Sequence, residues 1–437
     1  MKMFFILVFM VPVFLQAQMN KVKLSKPSVQ QHVWDLTEVM YHDVVNPPAA
    51  ARFYSYALLT GYEILSRLNS RTSSFQHLIK KYPTDKIEIP ANLNTELTVL
   101  YGILETGKNI IPSGYLLEEK QKALLSFYRS LPDAKNFVDS SVAFAKLVSR
   151  SIVQYSRTDG YFQLSIKKRY KPINDESAWK PTPPEYMSAV EPYWRTIRCF
   201  FLDSAAAFKP IPANEFSKDK ASGFYKLVKE VYDTTNQLTD EQKLVANYWD
   251  CNPFAVQFQG HMSIGLKKIS PGGHWMSITG IASQKAKLDF TNTLMIHTLV
   301  ALTLHDAFIS CWDEKYRSNR IRPETAINRY IDEKWKPLLQ TPPFPEYSSG
   351  HSVISTAAAE VLTFFLGDNF SFTDTTETYI GLPARNFTSF RNAAAEARIS
   401  RLYGGIHFRD AIENGGEQGR RTGEFILQKL GLKPFRY

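Results

Sequence analysis

Apolar residues recur at three- and four-residue intervals along most of the chain, and this pattern predicts helices over residues 33–43, 49–68, 92–105, 118–131 and 133–155. Side chains at that spacing share one helix face, so each stripe needs a partner, and the five segments together predict an N-terminal helical layer. The run KPINDESAWKPTPPEYMSAVEPYW, residues 171–194, breaks the periodicity. Its prolines remove amide donors and bias the preceding residues towards extended geometry, which predicts a strap wrapping the surface. Helical spacing resumes over 215–234 and 239–249, followed by a Gly/Pro turn at 270–273 and a pair of long helices over 274–316. No internal repeat and no clear alternating strand interrupts this sequence of helices, so the expected fold class is all-α, a helical bundle. The chain divides into a leader (1–18), an N-terminal helical layer (19–169), the Pro/aromatic strap (170–210) and a C-terminal bundle (211–437), expected to pack as one compact unit.

Two apolar stretches need separate treatment. Residues 1–18, MKMFFILVFMVPVFLQAQ, combine an early Lys2 and an apolar centre with Leu15 and Ala17 at positions suited to leader cleavage, and predict export to a secreted or periplasmic location. Residues 294–309 carry His297, His305 and Asp306, and suit a buried helix rather than a membrane span, so no stable membrane insertion is expected once the leader is removed. The 437 residues, 44% hydrophobic, can bury a large core. The net charge of +10 is scattered rather than gathered into a run, which argues against a nucleic-acid partner and for a small anionic ligand. Cys199, Cys251 and Cys311 lack metal-ligand spacing and read as buried free thiols.

Candidate chemistry is concentrated in three segments, KYRSNRIRP (315–323), SSGH (348–351) and SRLYGGIH (400–407). Lys315 and Arg322 stand seven apart and share a face if one helix continues, although Pro323 biases Arg322 towards extended geometry; alone, they read equally well as a basic helix end with Arg317 and Arg320. A serine before the apolar-periodic run from 352 predicts an N-cap, with Gly350 letting a backbone amide approach an anion and His351 in the first helical turn able to donate a proton. Arg401 and His407 flank Gly404 and Gly405, whose freedom allows a turn that places guanidinium and imidazole around one ligand. Taken together, Lys315, Arg322, Ser349, Gly350, His351, Arg401 and His407 form a set suited to gripping a tetrahedral oxyanion.

The combined order Lys-x6-Arg-Pro, Ser-Gly-His and Ser-Arg-x5-His resembles the family that joins type 2 phosphatidic acid phosphatases to vanadium-dependent haloperoxidases, over residues 306–423. The resemblance implies that Lys315, Arg322 and Arg401 neutralise phosphate or vanadate while Ser349 and the Gly350 amide donate hydrogen bonds. It implies that His407 is either the nucleophile on phosphorus or the ligand of vanadium, so that one pocket serves two chemistries. The segments WKPTPPEY with EPYW, EQKLVANYWD, and KKISPGGHWMSI are similar to the bacterial secreted haloperoxidases, and Trp312 and Phe344 match aromatic positions lining halide pockets in that group. The expectation is therefore a secreted enzyme carrying vanadate and no haem, using hydrogen peroxide to oxidise iodide or bromide to hypohalous acid, with small organic acceptors downstream. Here His351 exchanges protons and Lys315 polarises the oxygen that halide attacks. The alternatives are a soluble periplasmic acid phosphatase with His407 as nucleophile, and an oxyanion-binding protein without catalysis. One departure stands out. The family motif has Asp four positions after the second His, where this chain has Ala411; Asp410, Glu413 or a backbone carbonyl are the expected substitutes for orienting His407.

Overall fold

The computed structural model describes residues 26–435 apart from 254, 260 and 261, so the leader expected at 1–18 lies outside the described residues. Thirteen α-helices appear among them: α1 (Val29–His42), α2 (Pro47–Leu68), α3 (Thr95–Ile110), α4 (Leu117–Arg129), α5 (Val138–Arg157), α6 (Gly223–Asn236), α7 (Asp240–Tyr248), α8 (Pro271–Lys285), α9 (Phe290–Ser318), α10 (Pro323–Tyr330), α11 (Gly350–Leu366), α12 (Phe390–Tyr403) and α13 (Arg409–Leu430). The fold is all-α, a helical bundle, as the periodicity predicts.

Capping residues set most of the boundaries. Ser28, Asn46 and Asn94 each accept an amide of the first turn, so α1 and α2 start earlier than the apolar stripe alone indicates, and α3 a little later. The turn expected at 270–273 is instead the start of α8. Ser270 caps the Gly273 amide and Pro271 occupies the first helical position, where its missing N–H costs nothing. Two short hairpins, β1–β2 (Ala255–Gln259, Met262–Leu266) and β3–β4 (Phe372–Asp374, Arg385–Phe387), correct the expectation of no strands. Strands of three to five residues are shorter than the window over which helical periodicity is read, so the flanking helices mask them.

The long helix α9 is the axis of the core. It is long and apolar enough to cross a membrane, yet 94% of its most apolar stretch is buried in the protein, with α2, α8, α11 and α13 packed around it. His297 and His305 lie wholly buried on it, and burial lowers both to about 4, so both stay neutral. Asp306 accepts the amides of Phe200, Phe201 and Leu202 at 2.7–3.0 Å and thereby fixes the end of the strap region to α9. On the other side, α11 and α13 approach so closely that a Cβ on Gly419 would stand 2.1 Å from the Val353 carbonyl oxygen.

The strap does more than cover a surface. Trp179 and Trp194 are fully buried. Trp179 N–H donates to the Asn319 carbonyl and Ile321 N–H to the Ser177 carbonyl, both at 2.8 Å, so the strap braces the link between α9 and α10. Val190 donates to the Pro343 carbonyl at 3.0 Å, and its own carbonyl receives Trp312 Nε1 at 3.2 Å and the Tyr316 hydroxyl at 2.6 Å. Extended, proline-interrupted backbone has unpaired groups to offer, and here they are spent on the segments that hold the candidate residues.

Candidate active site

Lys315 and Arg322 reach the same region by different routes. Helix α9 ends at Ser318, Asn319 takes the left-handed conformation (φ 49°, ψ 32°), and Arg322 is extended as the residue before Pro323 at the start of α10. Both cations then face one ring, with Lys315 Nζ 4.9 Å and the Arg322 guanidinium 5.0 Å from the Phe344 centroid. The plainer reading of a solvated basic helix end fits Arg317, which is part-exposed and pairs with Glu314, but not Arg320, which is buried.

The donors of the two cations are used differently. Lys315 Nζ gives its protons to the carbonyls of Pro345, Glu346 and Ser348 at 3.1, 3.1 and 2.6 Å, stitching α9 to the segment before α11. Its burial is complete and pulls its pKa down to about 7. Arg322 donates through Nε to the Phe344 carbonyl (2.9 Å) and through Nη1 to the Ile406 carbonyl (2.8 Å) and His407 Nε2 (3.2 Å). Its Nη2 is buried with no partner, and burial lowers its pKa to about 10. An unsatisfied buried guanidinium nitrogen is costly, and it has the chemistry of an anion donor.

Ser349 caps α11, its hydroxyl accepting the Ser352 amide at 3.4 Å. Gly350 begins the helix beside Lys315 and Trp312; a Cβ there would stand 3.9 Å from Lys315 Cε and 3.8 Å from the Trp312 ring. His351 follows, half-buried, and lines a cavity together with Gly350, Arg401, His407, Trp312 and Phe344. Its Nε2 has no partner while the ring bonds the Trp249 carbonyl. Burial first, then the charges of Arg401 and His407, hold His351 well below the ordinary histidine range, so it is a neutral acceptor. Arg401, near the end of α12, donates to the same Trp249 carbonyl through Nη2 at 2.8 Å and to the Ser400 hydroxyl through Nε at 2.9 Å.

His407 lies in the turn between α12 and α13, with Nδ1 bonded to Glu346 Oε1 at 2.9 Å. Burial, then Arg322, Lys315 and Arg401, keep it well below the ordinary range, so the contact is a neutral imidazole donating to a carboxylate and not an ion pair. With its proton on Nδ1, the lone pair at Nε2 faces the Arg322 Nη1 donor. That is the tautomer a nucleophile or metal ligand requires.

Glu346 was missed in the sequence. None of the three expected substitutes for the missing Asp touches His407: Asp410 pairs with both terminal nitrogens of Arg320 at 2.6–2.7 Å, Glu413 pairs with Arg398, and no backbone carbonyl bonds Nδ1. Ala411 is fully buried, and its carbonyl accepts the Ser349 amide at 3.1 Å. Glu346 also accepts Arg320 Nε (2.7 Å) and the Phe408 amide (2.9 Å), so Asp410 reaches His407 only through Arg320 and Glu346. The available signal was that Glu346 is the one acid in TPPFPEYSSGH, the rigid segment leading to His351.

The aromatic residues Trp312 and Phe344 pack at 5.0 Å, and Phe308 adds a third ring 5.4 Å from Trp312. Apolar, polarisable walls on one side and cationic donors with neutral histidines on the other suit a small oxyanion and a soft monoanion in one cavity. The unpartnered Arg322 Nη2 is a donor, and the unpartnered His351 Nε2 an acceptor, of the kind that a vanadate or phosphate would use.

The VCPO second helical-bundle domain profile matches residues 295–431. The chain is similar to the crystal structure of the first bacterial vanadium-dependent iodoperoxidase, at 42% identity with a TM-score of 0.87, covering 93% of this chain and 97% of that one. The holo- and apo-type bacterial vanadium-dependent chloroperoxidases share the fold at 15% and 14% identity, with TM-scores of 0.65 and 0.62, covering 94% and 87% of this chain and 99% and 94% of theirs. No curated protein matches the chain at a meaningful level. Near-full coverage at that identity, on the same helical bundle and around this cavity, makes the chain a member of the vanadium-dependent haloperoxidases.

Proposed function

We propose that this haloperoxidase uses vanadate to oxidise iodide with hydrogen peroxide, after export directed by residues 1–18. The observation that carries the reading is the neutral His407 held by Glu346, its Nε2 lone pair lying 3.2 Å from Nη1 of the Arg322 guanidinium, whose Nη2 is buried and unpartnered. The iodoperoxidase relative supports iodide over bromide. Residues 19–169, 170–210 and 211–437 are taken as parts of one compact unit, which the continuous core from Val29 to Leu430 supports.

In this reading His407 Nε2 would hold vanadate, and Arg322, Arg401 and Lys315 would balance its charge, with Ser349 and the Gly350 amide as further donors. When bound, vanadate supplies a Lewis-acidic centre that activates peroxide without changing oxidation state. His351 Nε2, neutral and unpartnered, takes the proton that hydrogen peroxide gives up and returns one to the departing oxygen. A bound oxyanion offsets the burial cost of the Lys315 ammonium and favours its charged form. Trp312 and Phe344 offer polarisable faces to halide and keep water from the reacting atoms. Phosphoryl transfer would use the same His407 lone pair. Assays of metal-free protein with and without orthovanadate, with iodide plus peroxide and a phosphate ester in parallel, separate the two. Vanadate-dependent iodide oxidation supports the proposal, and ester hydrolysis without iodide oxidation overturns it.

A further inference from the structure

A second buried cluster lies beside the oxyanion cavity. His274, in the first turn of α8, is fully buried between two carboxylates, with Nε2 2.7 Å from Asp374 Oδ2 and Nδ1 2.9 Å from Glu377 Oε1. Cys251 Sγ is 3.4 Å from the same Nδ1 and 3.9 Å from the same Oε1, and no disulfide engages it. One neutral imidazole cannot donate to a carboxylate at each nitrogen, because it carries a single N–H. If Nε2 donates to Asp374, the Nδ1 lone pair faces the lone pairs of Glu377, and a cation has to lie between them. That cation is a proton or a metal ion.

The positions of the three donor atoms favour a metal. For bonds of ~2.0 Å to nitrogen and oxygen and ~2.3 Å to sulfur, the three separations correspond to angles at the ion of about 93°, 104° and 130°, which average near tetrahedral. A proton on Nδ1 would serve Glu377, and the thiol, 3.4 Å from that nitrogen, would have only the long 3.9 Å contact to Glu377 for its own proton. The carboxylate on the far ring nitrogen, here Asp374, is the arrangement that orients metal-bound histidine. We propose that Cys251 Sγ, His274 Nδ1 and Glu377 Oε1 bind a divalent ion of the zinc class, with Asp374 orienting the imidazole. Binding is balanced in charge, since one divalent ion replaces two protons, one from the thiol and one from the imidazolium.

The three ligands come from the loop after α7, the start of α8 and the short helical turn Thr376–Ile380, so the ion ties together segments far apart in sequence. Two links run from this staple to the oxyanion cavity. Cys251 itself lines it, and the Trp249 ring stacks on His274 at 4.6 Å while the Trp249 carbonyl holds Arg401 and His351. The ion is distinct from vanadate and braces one wall of the cavity, and with three protein donors its fourth tetrahedral position is left for a water molecule.

The test begins with wild-type protein dialysed against zinc and then against metal-free buffer. Elemental analysis should find about one zinc per chain with or without orthovanadate, and uptake should release about two protons into weak buffer. Cobalt in place of zinc should give a thiolate-to-cobalt charge-transfer band, lost in Cys251→Ser and reduced at least tenfold in intensity or affinity in Glu377→Gln. Absence of retained zinc and of the cobalt band in the folded wild type overturns the proposal and leaves an imidazolium between two carboxylates. A band that survives in Cys251→Ser overturns it as well, because the sulfur is then not a ligand. The wild-type measurements decide the question even where a variant fails to fold.

Discussion

His407 and His274 are both buried, both touch a carboxylate within 3 Å, and their surroundings drive them in opposite directions. Around His407 the single carboxylate of Glu346 is shared with Arg320, and Arg322, Lys315 and Arg401 add positive potential, so the ring is held neutral. His274 must overcome the same burial penalty, but Asp374, Cys251 and Glu377 surround it, and until a metal ion takes the place of its proton its charged form is favoured well above the ordinary range. His297 and His305, with only a backbone carbonyl each, are simply neutral. A histidine–carboxylate contact therefore says little by itself; the sum of neighbouring charge decides whether the ring offers a lone pair or holds a cation.

The largest expected effect breaks the comparison at its first member. His407→Ala should abolish stable vanadate retention and haloperoxidase turnover while circular dichroism stays helical; equilibrium dialysis showing undiminished vanadate affinity in the folded variant would remove His407 as the ligand. His351→Ala should keep vanadate but lose roughly 10²–10⁴-fold in iodide turnover. Its rate should also become flatter with pH, and a wild-type profile would place the proton transfer elsewhere.

Glu346→Gln sharpens the comparison by neutralising the partner of His407 Nδ1, and with it the anion that faces Arg320. Vanadate affinity should fall by about 10–100-fold, the usual range for a lost ligand-orienting carboxylate. An unchanged affinity would mean that the Arg322 contact alone fixes the ring. The pH dependence of stability offers a gentler probe. His351 and His407 are depressed, so between the unfolded value of about 6.5 and their folded values the unfolded chain binds more protons. Vanadate-free protein should thus keep full stability from these groups above about 6.5 and lose it as pH falls further. Melting temperatures across that range, with and without saturating orthovanadate, would show the loss reduced by the bound anion. The smallest effect belongs to Asp410→Asn, which reaches His407 only through Arg320 and Glu346 and should change vanadate affinity by less than about tenfold, below the range of a direct partner. A larger loss, measured by the same dialysis, would show that the Arg320 bridge transmits more than its geometry suggests.

The helical fold was legible in the sequence because a 3.6-residue stripe repeats over ten or more residues and each helix carries many independent copies of the signal. The buried character of α9 was legible too, since His297, His305 and Asp306 interrupt its apolar run. The set of cations, glycine and histidines could be listed from three short segments, because each segment keeps its own residues within a few positions. What the chain order could not supply was the pairing between segments. Glu346 and His407 are separated by 61 positions, and Ala411 in the familiar place pointed instead to its sequence neighbours. The β1–β2 and β3–β4 hairpins fell below the length at which periodicity separates strand from loop. Cys251, His274 and Glu377 span 126 positions with no regular spacing, so nothing local links them. Local periodicity is written in neighbouring residues and survives without the fold, whereas the charge state of a buried histidine depends on atoms that only tertiary packing brings within 3 Å.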